Sequence, residues 1–334
     1  MPFYVAEIHI NGAVTPCCSS YCKNYSFGNI HVESLDSIWR SEKAGTFREK
    51  ILNADYSLCD LQRCTKFPYI KTSRDDIVLQ YFNDGQVTLP EAITISYDKT
   101  CNTSCIMCLH AKSEIPYRNN AEDIERLALF KEKIWPGLSN CKMLRTSGAG
   151  DPFGSQHMRK LIKEAAVAFP HIRFNFTTNG LSFTKGMYRA LGLENRVACV
   201  SISVHAASEA TYAKIVRHRN LKKVQANIRW IAEKVRQKEI GCLILIFVVQ
   251  RLNYAEMPEF AEFAKKVGAT ASYTACRPSN PFFVESIPDF DVFDPANPEY
   301  RRFLEIMRHD SLQSPHCQFD GILLNARNAA LQSL

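Results

Sequence analysis

From residue 92 onward, six short runs of β-branched and apolar residues alternate with amphipathic helical stretches. This alternation is typical of parallel βα units. The six predicted strands are Ile93–Ser96, Lys142–Arg145, Arg173–Thr177, Val197–Val204, Leu243–Val249 and Ala271–Ala275. Helices with one apolar face are predicted at Ala121–Ile134, Leu221–Arg236 and Met257–Lys266.

Six βα units are too few to close an eight-stranded barrel, so the pattern predicts an α/β fold with a partial, TIM-like (β/α)6 barrel. In such a barrel the chemistry lies at the carboxyl ends of the strands. A smaller, cysteine-rich α+β module precedes it, and a proline-rich terminal segment is expected near the barrel mouth. The predicted divisions are residues 1–75, 76–280 and 281–334.

Three cysteines with the spacing C-x3-C-x2-C follow the first predicted strand, at Cys101, Cys105 and Cys108. Iron–sulfur cubes normally have four cysteine ligands, so three thiolates would leave one iron open to a reactant. A structural zinc site is the alternative, with His110 as the fourth ligand.

Composition limits the remaining classes. The chain has 334 residues, 46% of them hydrophobic and 22% charged, which suits a protein with a sizeable core. No apolar run approaches the roughly 20 residues that span a bilayer, and the start lacks a signal-peptide pattern, so we expect no membrane association and a cytoplasmic location. The net charge of +7 is dispersed, which does not favour nucleic-acid binding.

The chain has 13 cysteines and no secretion signal. In a chain of this length, such cysteines are expected to bind metal or to lie reduced in the core. Five lie within the first 64 residues: Cys17, Cys18, Cys22, Cys59 and Cys64. The remaining five outside the C-x3-C-x2-C loop lack ligand-like spacing and are interpreted as packing residues: Cys141, Cys199, Cys242, Cys276 and Cys317.

The C-x3-C-x2-C loop resembles the signature of the radical S-adenosylmethionine (SAM) enzymes. The resemblance implies a [4Fe–4S] cluster held by Cys101, Cys105 and Cys108, with SAM on the open iron. It also implies reductive cleavage of SAM to a 5′-deoxyadenosyl radical that abstracts a substrate hydrogen.

Further segments at strand ends resemble the SAM-binding parts of that family. The segment Ala149-Gly-Asp-Pro152 is similar to the stretch whose backbone receives the SAM amino group, which points to Ala149, Gly150 and Asp151. By the same resemblance the ribose and carboxylate of SAM are assigned to Ser203 and Arg217, and the adenine to Gln250 and Asn253. Asn179 points toward cofactor or substrate, although Asn-Gly also suits a tight turn.

The N-terminal module resembles the SPASM or twitch extension of the same superfamily, which binds auxiliary iron–sulfur clusters. The resemblance implies Cys17 or Cys18, with Cys59 and Cys64, as ligands. The extension usually follows the barrel but here precedes it, and a cysteine expected upstream of the Gly12 turn is absent. The fourth ligand therefore stays open between the other member of the pair, Cys22 and a substrate group, and structural zinc is the competing site.

The resemblance implies oxidation or epimerisation of a small polar, sugar- or aminocyclitol-like substrate, with maturation of a ribosomal peptide as the alternative. It also implies an external one-electron donor such as flavodoxin or ferredoxin. The competitors from other classes are a non-catalytic iron–sulfur electron-transfer protein and a zinc-stapled binding module. Neither explains small or polar residues at successive strand ends, where a SAM-sized ligand would bridge them.

Overall fold

The computed structural model describes residues 1–17, 22–23, 25–61, 64, 73–108, 110, 115–146, 149–276 and 290–332. The strands are β1 (Val5–His9), β2 (Ala13–Thr15), β3 (Gly28–Asn29), β4 (Phe82–Asn83), β5 (Gln86–Val87), β6 (Ala92–Ser96), β7 (Met143–Thr146), β8 (Arg173–Thr178), β9 (Val197–Ser203), β10 (Leu243–Val249), β11 (Thr270–Ala275) and β12 (Cys317–Phe319).

The helices are α1 (Leu35–Trp39), α2 (Glu42–Leu52), α3 (Arg74–Tyr81), α4 (Ala121–Ile134), α5 (Gln156–Ala168), α6 (Lys185–Ala190), α7 (Glu209–Ile215), α8 (Leu221–Arg236), α9 (Met257–Val267), α10 (Tyr300–Met307) and α11 (Gly321–Gln332). Their boundaries follow local chemistry. Asn120 caps α4 in a reciprocal pair with Asp123, and Gly268 ends α9 at a φ of 75°.

The chain forms two compact units. The first contains Met1–Lys99 and Asn119–Asn175. Its strands run in the order β8-β7-β6-β1-β2-β3, with β6 parallel to both β7 and β1. All five residues of β6 are buried, as expected for a strand covered on both faces. The Asn11-Gly12 turn joins β1 to antiparallel β2, which confirms the predicted hairpin.

The second unit contains Thr100–Arg118 and Phe176–Leu334. Its strands run in the order β12-β11-β10-β9-β8, and the three pairs from β9 to β12 are parallel. On α8 the buried residues recur at helical spacing and form its core face: Leu221, Val224, Ile228 and Ile231.

The α/β prediction and the six predicted strands are confirmed, as β6 to β11. Two further strands that extend the parallel sheet were not predicted. β1 belongs to the cysteine-rich segment yet pairs in parallel with β6, and β12 in the terminal segment pairs with β11. Both lie outside the βα series, so their placement depends on pairing between distant residues. No pairing among the described residues closes the strands into a complete barrel. The division into three modules remains a prediction.

Two other sequence interpretations have an outcome. Cys199 and Cys242 were interpreted as packing residues. They form a disulfide between β9 and the residue before β10, with Cα atoms 4.6 Å apart. Adjacent parallel strands bring the two thiols together, which spacing in the sequence does not reveal.

Within the described part of the chain, no helix has both the length and the apolar character needed to cross a membrane.

Gly241 precedes β10 where the backbone of β9 comes very close. A Cβ atom at this position would lie 2.4 Å from the Ala198 carbonyl oxygen, so Gly241→Ala requires a backbone shift. We expect this variant to lose about 1–3 kcal/mol of unfolding free energy in denaturant titrations. Gly45→Ala is the control, because no atom lies within 4 Å of its added Cβ in exposed α2 and a gain of about 0.5–1 kcal/mol is expected. Equal stability of Gly241→Ala and wild type would contradict the close approach.

Candidate active site

The cysteine loop after β6 is held by backbone hydrogen bonds within the second unit. The Cys101 N–H donates to the Tyr117 carbonyl at 3.2 Å, and the Cys108 N–H donates to the Cys105 carbonyl at 3.0 Å. The Ile106 N–H donates to the Ile215 carbonyl, the last residue of α7, at 2.9 Å. These bonds define the loop conformation before any ligand binds.

Two of the three thiols of this loop lie beside a hydroxyl. Thr103 Oγ1 lies 3.3 Å from Cys101 Sγ and 3.6 Å from Cys105 Sγ, while the His110 N–H donates to Cys108 Sγ at 3.4 Å. Burial raises the pKa of Cys105 to about 12, with a further contribution from the neighbouring thiols. A thiol with this pKa is protonated at neutral pH, so a metal group that binds here must displace its proton.

None of the three loop cysteines, Cys101, Cys105 and Cys108, forms a disulfide. Among the described residues, no group of three or more Cys, His, Asp or Glu side chains converges on a single metal-ion position.

Asn179 follows β8 and positions the cysteine loop. Its Nδ2 donates to Asn102 Oδ1 at 2.6 Å and lies 3.7 Å from Cys101 Sγ, while its Oδ1 accepts from the Leu181 N–H at 3.1 Å. Asn102 in turn donates to Ser182 Oγ at 3.0 Å. The predicted cofactor contact of Asn179 remains a prediction, and its amide is already used in orienting the loop.

The segment after β7 contains Ala149, Gly150 and Asp151 in the first unit. The Asp151 carboxylate is buried and accepts from the Phe153 N–H at 3.0 Å and the Gly154 N–H at 2.7 Å. Asp151 therefore shapes the turn through its side chain, and its carbonyl also accepts from the Gly154 and Ser155 N–H groups. Ser147 and Gly148 lie outside the described residues.

Gln250 and Asn253 follow β10 and have different environments. Asn253 Nδ2 donates to the carbonyls of His205, at 2.9 Å, and Val248, at 2.8 Å, so its amide is used within the fold. The Gln250 side chain is fully buried, and neither of its amide atoms has a hydrogen-bond partner in the described part of the chain. A buried unpaired polar group costs about 1–3 kcal/mol, which a ligand that pairs with Gln250 would recover.

The other two predicted SAM contacts are also in the second unit. Ser203 is the last residue of β9 and pairs in register with Ile246. Arg217 lies between α7 and α8 in a left-handed backbone conformation, at a φ of 55°. Their assignment to the ribose and carboxylate of SAM remains a prediction.

His205 was not identified from the sequence, although it lies two residues beyond Ser203 at a strand end. It is buried, has a φ of 64°, and its Nδ1 accepts from the Val248 N–H at 3.1 Å. Because Nδ1 accepts, the neutral ring carries its hydrogen on Nε2. Burial lowers the pKa of His205 to about 3, so the ring is neutral at pH 7 and offers one donor.

A second cysteine group lies in the first unit. Cys17 Sγ and Cys22 Sγ are 3.3 Å apart, and Cys22 pairs with Cys59 in an antiparallel bridge. The Cys22 contact and burial raise the pKa of Cys17, and burial followed by the charges of Cys17 and Cys64 raises that of Cys59 to about 11. The structure thus places Cys22 beside the predicted ligands, whereas Cys18 lies outside the described residues.

Comparison with protein families decides what these two cysteine groups are. Residues 95–264, half of the chain, match the radical SAM superfamily, and residues 1–65 match SPASM, an iron–sulfur cluster-binding domain. The chain belongs to the radical SAM superfamily. A radical SAM domain binds a [4Fe–4S] cluster and SAM, and a SPASM domain binds auxiliary iron–sulfur clusters, as the sequence predicted. The N-terminal position of the SPASM module is also confirmed.

Two curated relatives are mycofactocin maturases MftC from Mycobacterium tuberculosis, strains CDC 1551 / Oshkosh and ATCC 25618 / H37Rv. Each is 24% identical over 210 residues, which cover 60% of this radical SAM chain and 48% of the relative. The chain thus spans about half the length of these curated relatives.

Two solved structures are similar. SuiB of Streptococcus suis bound to SAM has a TM-score of 0.45 and 12% identity, over 83% of this chain and 60% of that one. Methylornithine synthase (PylB) has a TM-score of 0.43 and 11% identity, over 71% of this chain and 69% of that one.

The buried neutral ring of His205 predicts acid sensitivity in this radical SAM protein. Its pKa is near 6.5 when unfolded and about 3 when folded, so the unfolded chain binds more protons between those values. Stability is therefore lost as pH falls below about 6.5, by about 2 kcal/mol at pH 5. His205→Asn is chosen because Asn tolerates a positive φ. Its unfolding free energy, measured at pH 7 and pH 5, should not show the part of the decrease that protonation of His205 causes. The exposed His171→Asn is the control, and an identical pH dependence in all three proteins would contradict the neutral assignment.

Proposed function

We propose that this radical SAM enzyme is a peptide maturase that oxidises or epimerises its substrate. The observation that carries the proposal is the match of both modules, together with similarity to relatives named as maturases. This changes the substrate expected from the sequence, because those relatives favour the peptide alternative over a sugar. An external one-electron donor such as flavodoxin or ferredoxin completes the proposal.

In this proposal Cys101, Cys105 and Cys108 hold the SAM-binding cluster. When bound, the cluster and SAM together supply a 5′-deoxyadenosyl radical that abstracts hydrogen. The donor set supports the assignment, because three thiols follow one another in a single loop and none of them forms a disulfide. Asn179 and Thr103 both contact Cys101 and orient the loop.

The residues at the strand ends hold SAM in this proposal. Backbone groups of Ala149 and Gly150 receive its amino group, Arg217 its carboxylate and Ser203 its ribose. Gln250 is the strongest candidate for the adenine, because its buried amide has both a donor and an acceptor left to pair. Asp151 and Asn253 act indirectly, since their side chains already shape the turns that present these groups.

We assign the auxiliary cluster to Cys17, Cys22, Cys59 and Cys64. Cys22 replaces the ligand that the sequence lacks upstream of Gly12, because it contacts Cys17 and pairs with Cys59. Cys18 lies outside the described residues and is not assigned in this proposal. The auxiliary site would accept an electron from the substrate during oxidation.

SAM cleavage is the direct test of the enzyme. Full-length protein reconstituted with iron and sulfide, then given SAM and dithionite, should release 5′-deoxyadenosine. Cys105→Ala should reduce the rate at least about a hundredfold, because the cluster loses a ligand. Cys141→Ala is the matched control, a buried thiol that donates to the Met143 carbonyl, and it should retain cleavage. No product from iron-replete wild type, or equal rates in Cys105→Ala, would refute the proposed site.

Iron and sulfide counts test the auxiliary ligands separately. Cys22→Ala should lower the bound iron relative to wild type while the cluster at Cys101, Cys105 and Cys108 still supports SAM cleavage. Cys317→Ala is the control, because this buried thiol donates only to the Ser311 carbonyl. Unchanged iron and sulfide in Cys22→Ala would remove Cys22 from the ligand set.

A further inference from the structure

One face of the first unit's strands has a row of polar side chains. The register pairs Thr15 of β2 with Glu7 of β1, Glu7 with Thr94 of β6, and Thr94 with Arg145 of β7. Residues that are paired across neighbouring strands lie on the same face, so these four side chains share it. Ala6 and Ile8 point to the opposite face and are fully buried in the core.

Arg145 at one end of this row forms no ion pair at contact distance among the described residues, although its charge opposes the rise that burial causes in the pKa of Glu7 in the same row. Its Nε is buried and makes no hydrogen bond, and no acidic group lies within 4 Å of it in the described part of the chain. Surface arginines of the same unit differ, since Arg40, Arg74 and Arg126 each contact a carboxylate. A half-buried guanidinium without an acceptor is costly, and it favours an anion that supplies one.

Glu7 is the acid in the same row, and it interacts with Arg145 through its charge without forming an ion pair at contact distance. The two residues are separated by β6, which places their backbones about 10 Å apart. The Glu7 carboxyl is hydrogen-bonded by Ser96, and burial raises its pKa. Its Oε1 also lies 3.9 Å from His9 Nδ1. These neighbours hold Glu7 on its own side of the row.

His9 and Thr15 form a hydrogen-bonded pair on the side of the row away from Arg145. His9 Nε2 lies 2.9 Å from Thr15 Oγ1, and the Thr15 hydroxyl donates to the Cys17 carbonyl at 2.6 Å. Thr15 Oγ1 must therefore accept from His9 Nε2–H. These side chains are thus used within the fold, whereas the buried Nε of Arg145 has no acceptor among the described residues.

We propose that Arg145 is the anchor of a substrate subsite and binds a carboxylate of the peptide, with Thr94 beside it as a hydroxyl donor. The planar fork of arginine suits a carboxylate, which accepts two parallel hydrogen bonds. The carboxylate belongs to the peptide's C-terminus or to an acidic side chain, which present the same group. The subsite deepens the proposed function and rests on it for the nature of the substrate.

Arginine labelling tests the subsite in the wild-type holoenzyme. Phenylglyoxal modification of individual arginines is followed by peptide mass spectrometry with N-acetylglycine, which mimics a C-terminus, or with N-acetylglutamic acid α-amide, which mimics an acidic side chain. At least one should slow labelling of Arg145 severalfold, and the one that does identifies the source. Neutral N-acetylglycinamide should not slow the labelling of Arg145. Exposed Arg126 is the internal control, and its labelling should be unchanged.

Two results would overturn the subsite. The first is that neither carboxylate protects Arg145 from labelling. The second is that SAM alone protects Arg145 fully, because Arg145 would then contact the cofactor. Release of 5′-deoxyadenosine is measured on the same sample, so protection without cleavage would leave the subsite standing and reject only the enzyme assignment.

A variant pair gives an independent readout. The protecting carboxylate should raise the thermal midpoint of wild type and of Arg173→Gln, an exposed arginine at the start of β8, but not that of Arg145→Gln. An equal rise in Arg145→Gln would place the carboxylate elsewhere and refute the proposal.

Discussion

The parallel register of β9 and β10 is the constraint on which the candidate site of the second unit depends. Pairing of Ser203 with Ile246 brings the residues that follow both strands to one edge of the sheet. There the Asn253 amide donates to the His205 carbonyl, and the Val248 N–H donates to the His205 ring. These bonds hold a left-handed residue and leave the amide of Gln250 buried beside it.

Each unit contains a buried polar group without a hydrogen-bond partner among the described residues. Gln250 in one and Arg145 in the other each have unmet hydrogen bonds among the described residues, and the Cys105 thiol is buried where its ionised form is disfavoured. Each arrangement costs folding free energy that a ligand would recover. Neighbouring polar residues such as Asn253, Asp151 and Glu7 are instead satisfied within the protein. This difference distinguishes side chains that shape the site from side chains whose polar atoms remain to bind a ligand.

Sequence periodicity was sufficient for β6 to β11 and for α4, α8 and α9, because strand-like and helical patterns alternate regularly along this part of the chain. It was insufficient for β1 and β12, which lie outside that alternation and join the parallel sheet through pairing with β6 and β11. Cysteine spacing likewise revealed the loop at Cys101, which is local. It did not reveal the disulfide between Cys199 and Cys242 or the contact between Cys17 and Cys22.

The sequence by itself determined the α/β architecture, the superfamily and its cofactors, because strand and helix periods and the cysteine loop are encoded in neighbouring residues. Only the tertiary structure decided which polar side chains stay unpaired. Three amide side chains follow strand ends: Asn179, Asn253 and Gln250. The amides of the two asparagines form hydrogen bonds within the fold, whereas the Gln250 amide forms none among the described residues. Hydrogen-bond satisfaction depends on groups contributed by distant parts of the chain, so it is settled only when the strands have paired.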